Sequence, residues 1–183
     1  MRVLLHICCA HCAVYPAQWL RDQGHEVRGV FFNPNIQPYQ EFVLRREAVN
    51  GLSEAMRLPM IFMEDYPLEE FFRRMVFREG QRCRICYQWR LETAARVARR
   101  GKYEAWTTSL LSSKRQRHDW IREIAQEEAR ARGVSFLYED FRKGSEEGHR
   151  RSTGWGLYRQ TYCGCVYSER DRFLPPHGTS RIR

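Results

Sequence analysis

VLLHICCAHC, residues 3–12, is the stretch on which the fold turns. Residues 3–7 form a short apolar run without a helical period, the pattern of a strand buried on both faces. Three cysteines follow at its carboxyl end, where an open α/β sheet places its ligands. Working outward, the same rhythm repeats. A helix is predicted over 15–24 with Gly24 as its stop, and a strand over 26–32 broken by Asn33, Pro34 and Asn35. Leu44, Ala48, Leu52, Ala55 and Met56 recur at the helical period across 41–57, and residues 60–63 make a brief strand. Leu68, Phe71, Phe72 and Met75 mark a helix leading toward Cys83, and Leu91, Ala94, Ala95 and Ala98 mark another that ends at Gly101.

A strand over 104–111 follows, then the polar loop SSKRQRHD. Ile121, Ile124, Ala125 and Ala129 mark the next helix, stopped at Gly133, and residues 134–138 form a fifth strand. Alternating short strands and longer helices predict an α/β fold: a single domain over 1–174 whose parallel sheet of about five strands is flanked by helices. The last forty or so residues are less periodic and are expected as a C-terminal tail folding over the site, with 175–183 disordered beyond it. In such a sheet Cys8 and Cys9, Asn33 and Asn35, Ser112 and Ser113, and Asp140 all lie just past strand ends, on one rim.

Arg and Lys number 31 against 22 Asp and Glu, for a formal charge of +9. They recur in short groups, among them Lys114, Arg115 and Arg117, then Arg142 and Lys143. Such a field attracts a polyanion, nucleic acid above all. No apolar run approaches membrane-spanning length, and the segment before Cys8 is too short for a secretion signal. A cytoplasmic protein without a membrane partner is expected. A structural disulfide framework is excluded by the odd count of seven cysteines and by a chain long enough to build its own core.

The cysteines fall into three groups: Cys8, Cys9 and Cys12; Cys83 and Cys86; Cys163 and Cys165. Soft thiolates gathered by folding suit zinc or an iron–sulfur cluster. Cys83-x-x-Cys86 directs two sulfurs at one centre from a turn or helix start. Two completions stand open. Cys9-x-x-Cys12 gives a zinc-ribbon-like set, although about 70 residues separate the pairs where roughly 15–20 is usual. Cys8 with Cys9 instead suits a cluster, because neighbouring residues reach two different irons, and this frees Cys12. A disulfide across Cys163-Gly164-Cys165 would close a small strained ring, better suited to carrying electrons than to structure. A pair of metal ligands is the alternative there.

These motifs together resemble the QueH family of epoxyqueuosine reductases. HICCAHC is similar to the family's H-x-CCAPC, and FFNPNIQPYQEFVLRRE to its NPNI-x-P-x-x-E segment followed by Arg. RCRICYQWRLETAARVA resembles RC-x-x-CY-x-x-RL-x-x-TA, and TTSLLSS resembles T-T-L-x-S. EDFRKG and YRQTYCGCVYS match the closing motifs. The likeness runs in order over residues 1–170 and takes in all seven cysteines, with one departure: His11 stands where the family carries proline.

The resemblance implies a HUP (Rossmann-like) α/β fold and the reduction of epoxyqueuosine in tRNA to queuosine. Without a glycine-rich phosphate loop, ATP use is not expected. By position, Cys8, Cys9, Cys83 and Cys86 would bind a [4Fe–4S] cluster, and Cys163 with Cys165 would form a redox-active disulfide. Cys12 would serve a second iron nearby or contact the epoxide. Tyr162, Asp140 or His11 would deliver a proton. Asn33, Asn35 and Glu41 would hold the cyclopentane hydroxyls, and Arg142 with Arg115, Arg117 and Lys143 would hold phosphates. Trp155, Tyr158 and Tyr162 are candidates to stack on the base. The partners implied are tRNA carrying epoxyqueuosine and a separate electron donor. A zinc-stabilised RNA-binding module and a thiol–disulfide oxidoreductase are the competing readings.

Overall fold

The apolar run behind the first cysteines becomes β1 (Arg2–His6) in a computed structural model that describes residues 1–174. The segment 175–183, expected to be disordered, lies outside the described residues. Val3, Leu4 and Leu5 are wholly buried because helices cover both faces of β1. It pairs in parallel with β2 (Glu26–Phe31) on one side and β4 (Ala105–Thr108) on the other. β3 (Met60–Phe62) and β5 (Ser135–Phe136) complete a parallel sheet in the order 3-2-1-4-5. Chain order reverses at β1, so the crevice beyond its carboxyl end is where such a sheet collects a ligand.

The helices, in chain order, are α1 (Ala10–Asp22), α2 (Tyr39–Met56), α3 (Leu68–Met75), α4 (Arg82–Arg100), α5 (His118–Arg132), α6 (Ser145–Gly154) and α7 (Val166–Phe173). Side chains alternate across β1, so the core divides in two. Val3, Leu5 and Ile7 pack with Ala13, Val14 and Leu20 of α1 and Val49 and Leu52 of α2. Leu4 packs on the other face with Leu91 and Ala94 of α4 and Ile121 and Ile124 of α5. Burying a Leu here stabilises the fold by about 1.5–3 kcal/mol, and Leu5→Ala would cost about 2–5 kcal/mol by opening a cavity.

The structure corrects four expectations. α1 begins at Ala10 rather than 15, directly after Cys9, which brings Cys12 into its first turn. The helical stripe over 41–57 holds at Ala48, Leu52 and Met56, but Leu44 and Ala55 are exposed, and Phe42, Arg45 and Val49 complete the buried face instead, Arg45 paired there with Glu41. β4 ends at Thr108, and the rest of the predicted strand becomes a 3₁₀ turn over Ser109–Ser112. The tail is not irregular: α6 packs on α1, and α7 follows the last cysteine. Gly144 allows α6 its approach, since a Cβ there would meet the Tyr15 ring at 2.1 Å.

Candidate metal and redox site

His6 closes β1 by bridging its neighbours. Its ring Nε2 faces the Phe32 carbonyl at 3.1 Å and Nδ1 meets Thr108 Oγ1 at 2.8 Å. Burial, then the nearby Arg90, push its pKa down to about 3, so it is a neutral structural ring. The chain then turns. Cys9 is the extended residue before α1, and Cys12 lies three positions on, on the same face. The sulfurs of Cys8, Cys9 and Cys12 lie within 4.8 Å of one another, a group able to hold a metal ion. Ser109 Oγ accepts from the Cys8 N–H at 2.9 Å and donates to the Cys8 sulfur at 3.2 Å. Ser112 donates to the Cys12 carbonyl at 2.8 Å. Burial opposes ionisation at Cys9, but hydrogen bonds from Cys12, Cys8 and Gln160 hold its thiol well below the usual value. The bonds to Cys8 and Cys9, followed by burial, push Cys12 well above it.

Cys83 and Cys86 occupy the first turn of α4, Cys83 exposed and Cys86 half-buried. One turn further, Arg90 is 2% exposed. Its Nη2 donates to Asn33 Oδ1 at 2.7 Å, its Nη1 reaches the Cys86 sulfur at 3.8 Å, and its Nε has no partner. Asn33 in turn donates to the Ile7 carbonyl at 2.9 Å, which ties α4 to the end of β1. Among the described residues no carboxylate forms an ion pair with Arg90; burial opposes its charge, while the charge of Cys86, then of Cys8 and Cys163, favours it, and the balance raises its pKa. Burial pushes the Cys86 thiol up to about 12 despite that neighbouring charge.

The third group arrives from the tail. Arg45, buried and paired with Glu41 Oε1 at 2.6 Å, donates to the Cys163 carbonyl at 2.8 Å and the Tyr162 carbonyl at 3.0 Å. Gln37 N–H donates to the Gly164 carbonyl at 2.8 Å. Gly164 sits at φ +147, and a Cβ there would stand 2.9 Å from Asn35 Nδ2, so glycine is required twice over. Gln116 Nε2 lies 3.4 Å from the Cys163 sulfur, and both Cys163 and Cys165 act on the charge of Cys83 and Cys86. All seven cysteines are free thiols.

The remaining predicted residues divide. Asn33 has both ends of its amide occupied, and Glu41 accepts from Arg45 and, at 2.6 Å, from Tyr158 Oη. Asn35 keeps a buried Oδ1 without a partner. Tyr162 donates its hydroxyl to the Gln37 carbonyl, and burial, with Glu41, pushes it up to about 12. Trp155 and Tyr158 pack against the core. Asp140 and Arg142 pair with each other at 2.5 Å, and among the described residues neither bonds to a cysteine. His11 lies with Nε2 3.9 Å from the Cys9 sulfur and its ring edge-on to His149. Sequence reading missed Arg90, Arg45, Gln37 and Ser109. A signal existed for the two arginines: each falls on the apolar stripe of its helix, where a charge needs a buried partner.

Comparison with known proteins agrees with this arrangement. The family model described as epoxyqueuosine reductase QueH matches residues 3–171. A protein of Dehalococcoides mccartyi named epoxyqueuosine reductase QueH is 40% identical over 96% of this chain and 97% of its own. One of the same name from Thermotoga maritima is 36% identical over 93% of this chain and 91% of its own. The crystal structure of a predicted subunit of tRNA methyltransferase from Methanocaldococcus jannaschii superposes with a TM-score of 0.52 at 12% identity, over 82% of this chain and 74% of that one, a likeness of fold. With a family match that spans every cysteine, the chain belongs to the QueH family of epoxyqueuosine reductases.

Proposed function

We propose that this protein reduces epoxyqueuosine in tRNA to queuosine with a [4Fe–4S] cluster held by Cys8, Cys9, Cys83 and Cys86. The observation that carries the reading is Arg90. A buried guanidinium without a carboxylate needs other negative charge, and the Cys86 sulfur lies 3.8 Å from its Nη1. Thiolate ligands around iron supply that charge, whereas neutral thiols do not. The donor set therefore fits the group. When bound, such a cluster supplies electrons singly at a potential set by nearby charge and hydrogen bonds.

The chain's own residues account for the rest. The reaction takes up two electrons and two protons, converts the epoxide to an alkene and releases water. Oxidation of the Cys163/Cys165 dithiol to a disulfide releases that same complement, and a separate donor must restore it. Arg45 and Gln37 hold this loop over the rim, and Tyr162 fixes it through Gln37. Cys12, which such a cluster leaves free, is the sulfur for a second iron or for contact with the epoxide. Asn35 Oδ1 is the free acceptor for a substrate hydroxyl, while Asn33 and Glu41 brace the wall behind it. Arg142 reaches a phosphate by exchanging its solvent-exposed bond to Asp140. The setting is cytoplasmic, beside tRNA; no described helix is long and apolar enough to cross a membrane.

A single ion held by Cys8, Cys9 and Cys12 is the second reading, favoured by their mutual reach of 4.8 Å. Anaerobic purification followed by iron and sulfide analysis, and by turnover of tRNA carrying epoxyqueuosine, tests both. A brown, sulfide-containing protein that forms queuosine is expected. One zinc without sulfide and without turnover would favour an RNA-binding module, and metal-free disulfide exchange a thiol oxidoreductase.

A further inference from the structure

The turn between α3 and α4 carries a feature that the reaction does not use. Phe77 is 95% exposed, its neighbour Val76 40%. The Phe77 backbone is left-handed, at φ +64, which is costly for a bulky residue. Its N–H donates to Glu79 Oε1 at 3.1 Å, which fixes the turn. The ring stands as a wall between two surface hollows. One, of about 650 Å³, is lined by Glu69, Phe72, Arg73, Val76 and Arg78 besides Phe77 itself. The other, of about 400 Å³, adjoins Arg78, Gly80 and Gln81. Arg78 has no carboxylate partner among the described residues, and Arg73 is 72% exposed with only a 3.9 Å contact to Glu70. The turn is bound to the cysteine rim from both sides: Cys83 follows directly, and Arg82 bonds Asp171 of α7 at 2.6 Å.

We propose that this turn is an RNA-docking hook in which Phe77 stacks on an unpaired base of the tRNA while Arg73 and Arg78 hold the flanking phosphates. The inference rests on the tRNA reading above and adds where the RNA is gripped. Two observations choose RNA over a protein partner. An isolated ring with arginines on both sides matches how single-stranded nucleic acid is bound, by stacking plus phosphate neutralisation. The chain as a whole also carries +9, complementary to a polyanion. An unfavourable backbone angle kept for an exposed side chain marks a residue held for contact rather than stability.

The test measures Kd for tRNA carrying epoxyqueuosine, together with KM and kcat, on the full-length cluster-loaded enzyme. Phe77→Ala is expected to weaken binding about tenfold, within the range a stacked base gives, and Phe77→Trp to retain it. Arg78→Ala should lower the slope of log Kd against log salt by about 1. Phe77→Gly relieves the left-handed strain, so its Tm should rise by about 2–4 °C while binding falls; a structural role would move both downward. Unchanged Kd and KM in Phe77→Ala would overturn the proposal, as would an effect confined to self-association or to a protein partner. A wild-type enzyme that binds this tRNA through Phe77 without reducing it would sink the reaction and leave the hook. Turnover that is indifferent to Phe77 would do the reverse.

Discussion

The corner between β1 and α1 and the loop Tyr162–Cys165 bring sulfur to the same rim under opposite conditions. At the corner, Cys8, Cys9 and Cys12 are fixed by a buried strand, a helix start and two serines. In the loop, Cys163 is exposed and is held through its backbone by the side chain of Arg45. Rigid, buried sulfurs suit a ligand shell that must not move. A pair on a tethered loop, Cys163 exposed and Cys165 half-buried, suits thiols that must meet substrate and an outside reductant in turn. Arg90 ties α4 to the corner: it donates to Asn33, which donates to the Ile7 carbonyl, and it reaches the Cys86 sulfur at 3.8 Å.

That contrast breaks first if the proposed cluster ligands prove dispensable. Cys86→Ala is expected to abolish both cluster and turnover, read as iron and sulfide per chain and as queuosine formed; full iron with this variant would end the assignment. Cys163→Ser should separate the regions: iron and sulfide unchanged, multiple turnover lost, and stability within about 0.5 kcal/mol of wild type because the side chain is exposed. Turnover at the normal rate would remove the dithiol from the reaction. Arg45→Ala strands Glu41 in the core and frees the loop. Its cost should be about 3–5 kcal/mol, seen as a lower denaturant midpoint and faster proteolysis near residue 163, with the cluster retained in the folded fraction.

Gly164→Ala is a milder form of the same test. The positive φ and the approach to Asn35 predict a loss of about 1–3 kcal/mol, with slower turnover and intact iron. Asp140→Asn should do least. The Arg142 bond holds Asp140 down to about 2, below the 3.8 of a free side chain. Its contribution is therefore present above pH about 4 and fades as pH falls toward about 2. Exposed to solvent, the pair contributes little. The gap between wild type and variant in a pH series of denaturant melts should be small at neutrality and close in acid.

Most of the architecture was legible because periodicity is local. Buried runs before Cys8 and at 26–32, and the apolar spacing from Leu91 to Ala98, identify strands and helices without reference to the rest of the chain. The rim followed from the rule that strand ends in a parallel sheet point one way. Family membership was legible from motifs spread over residues 1–170, all seven cysteines among them. The helices of the tail were not, since α6 and α7 have short, polar sequences whose order comes from packing on α1 and from the bond between Arg82 and Asp171.

Sequence alone thus determined the strand–helix alternation, the cysteine groups and the family, because each depends on residue type and spacing along the chain. Only the tertiary structure decided which charges enter the core. Arg45 and Arg90 fall on the apolar stripes of their helices, but the Tyr162 and Cys163 carbonyls that receive Arg45 and the Asn33 oxygen that receives Arg90 are brought there only by folding. The exposure of Phe77 was decided the same way. Whether a charge or an aromatic ring can leave water depends on the partners that folding delivers from far along the chain, and spacing does not record those partners.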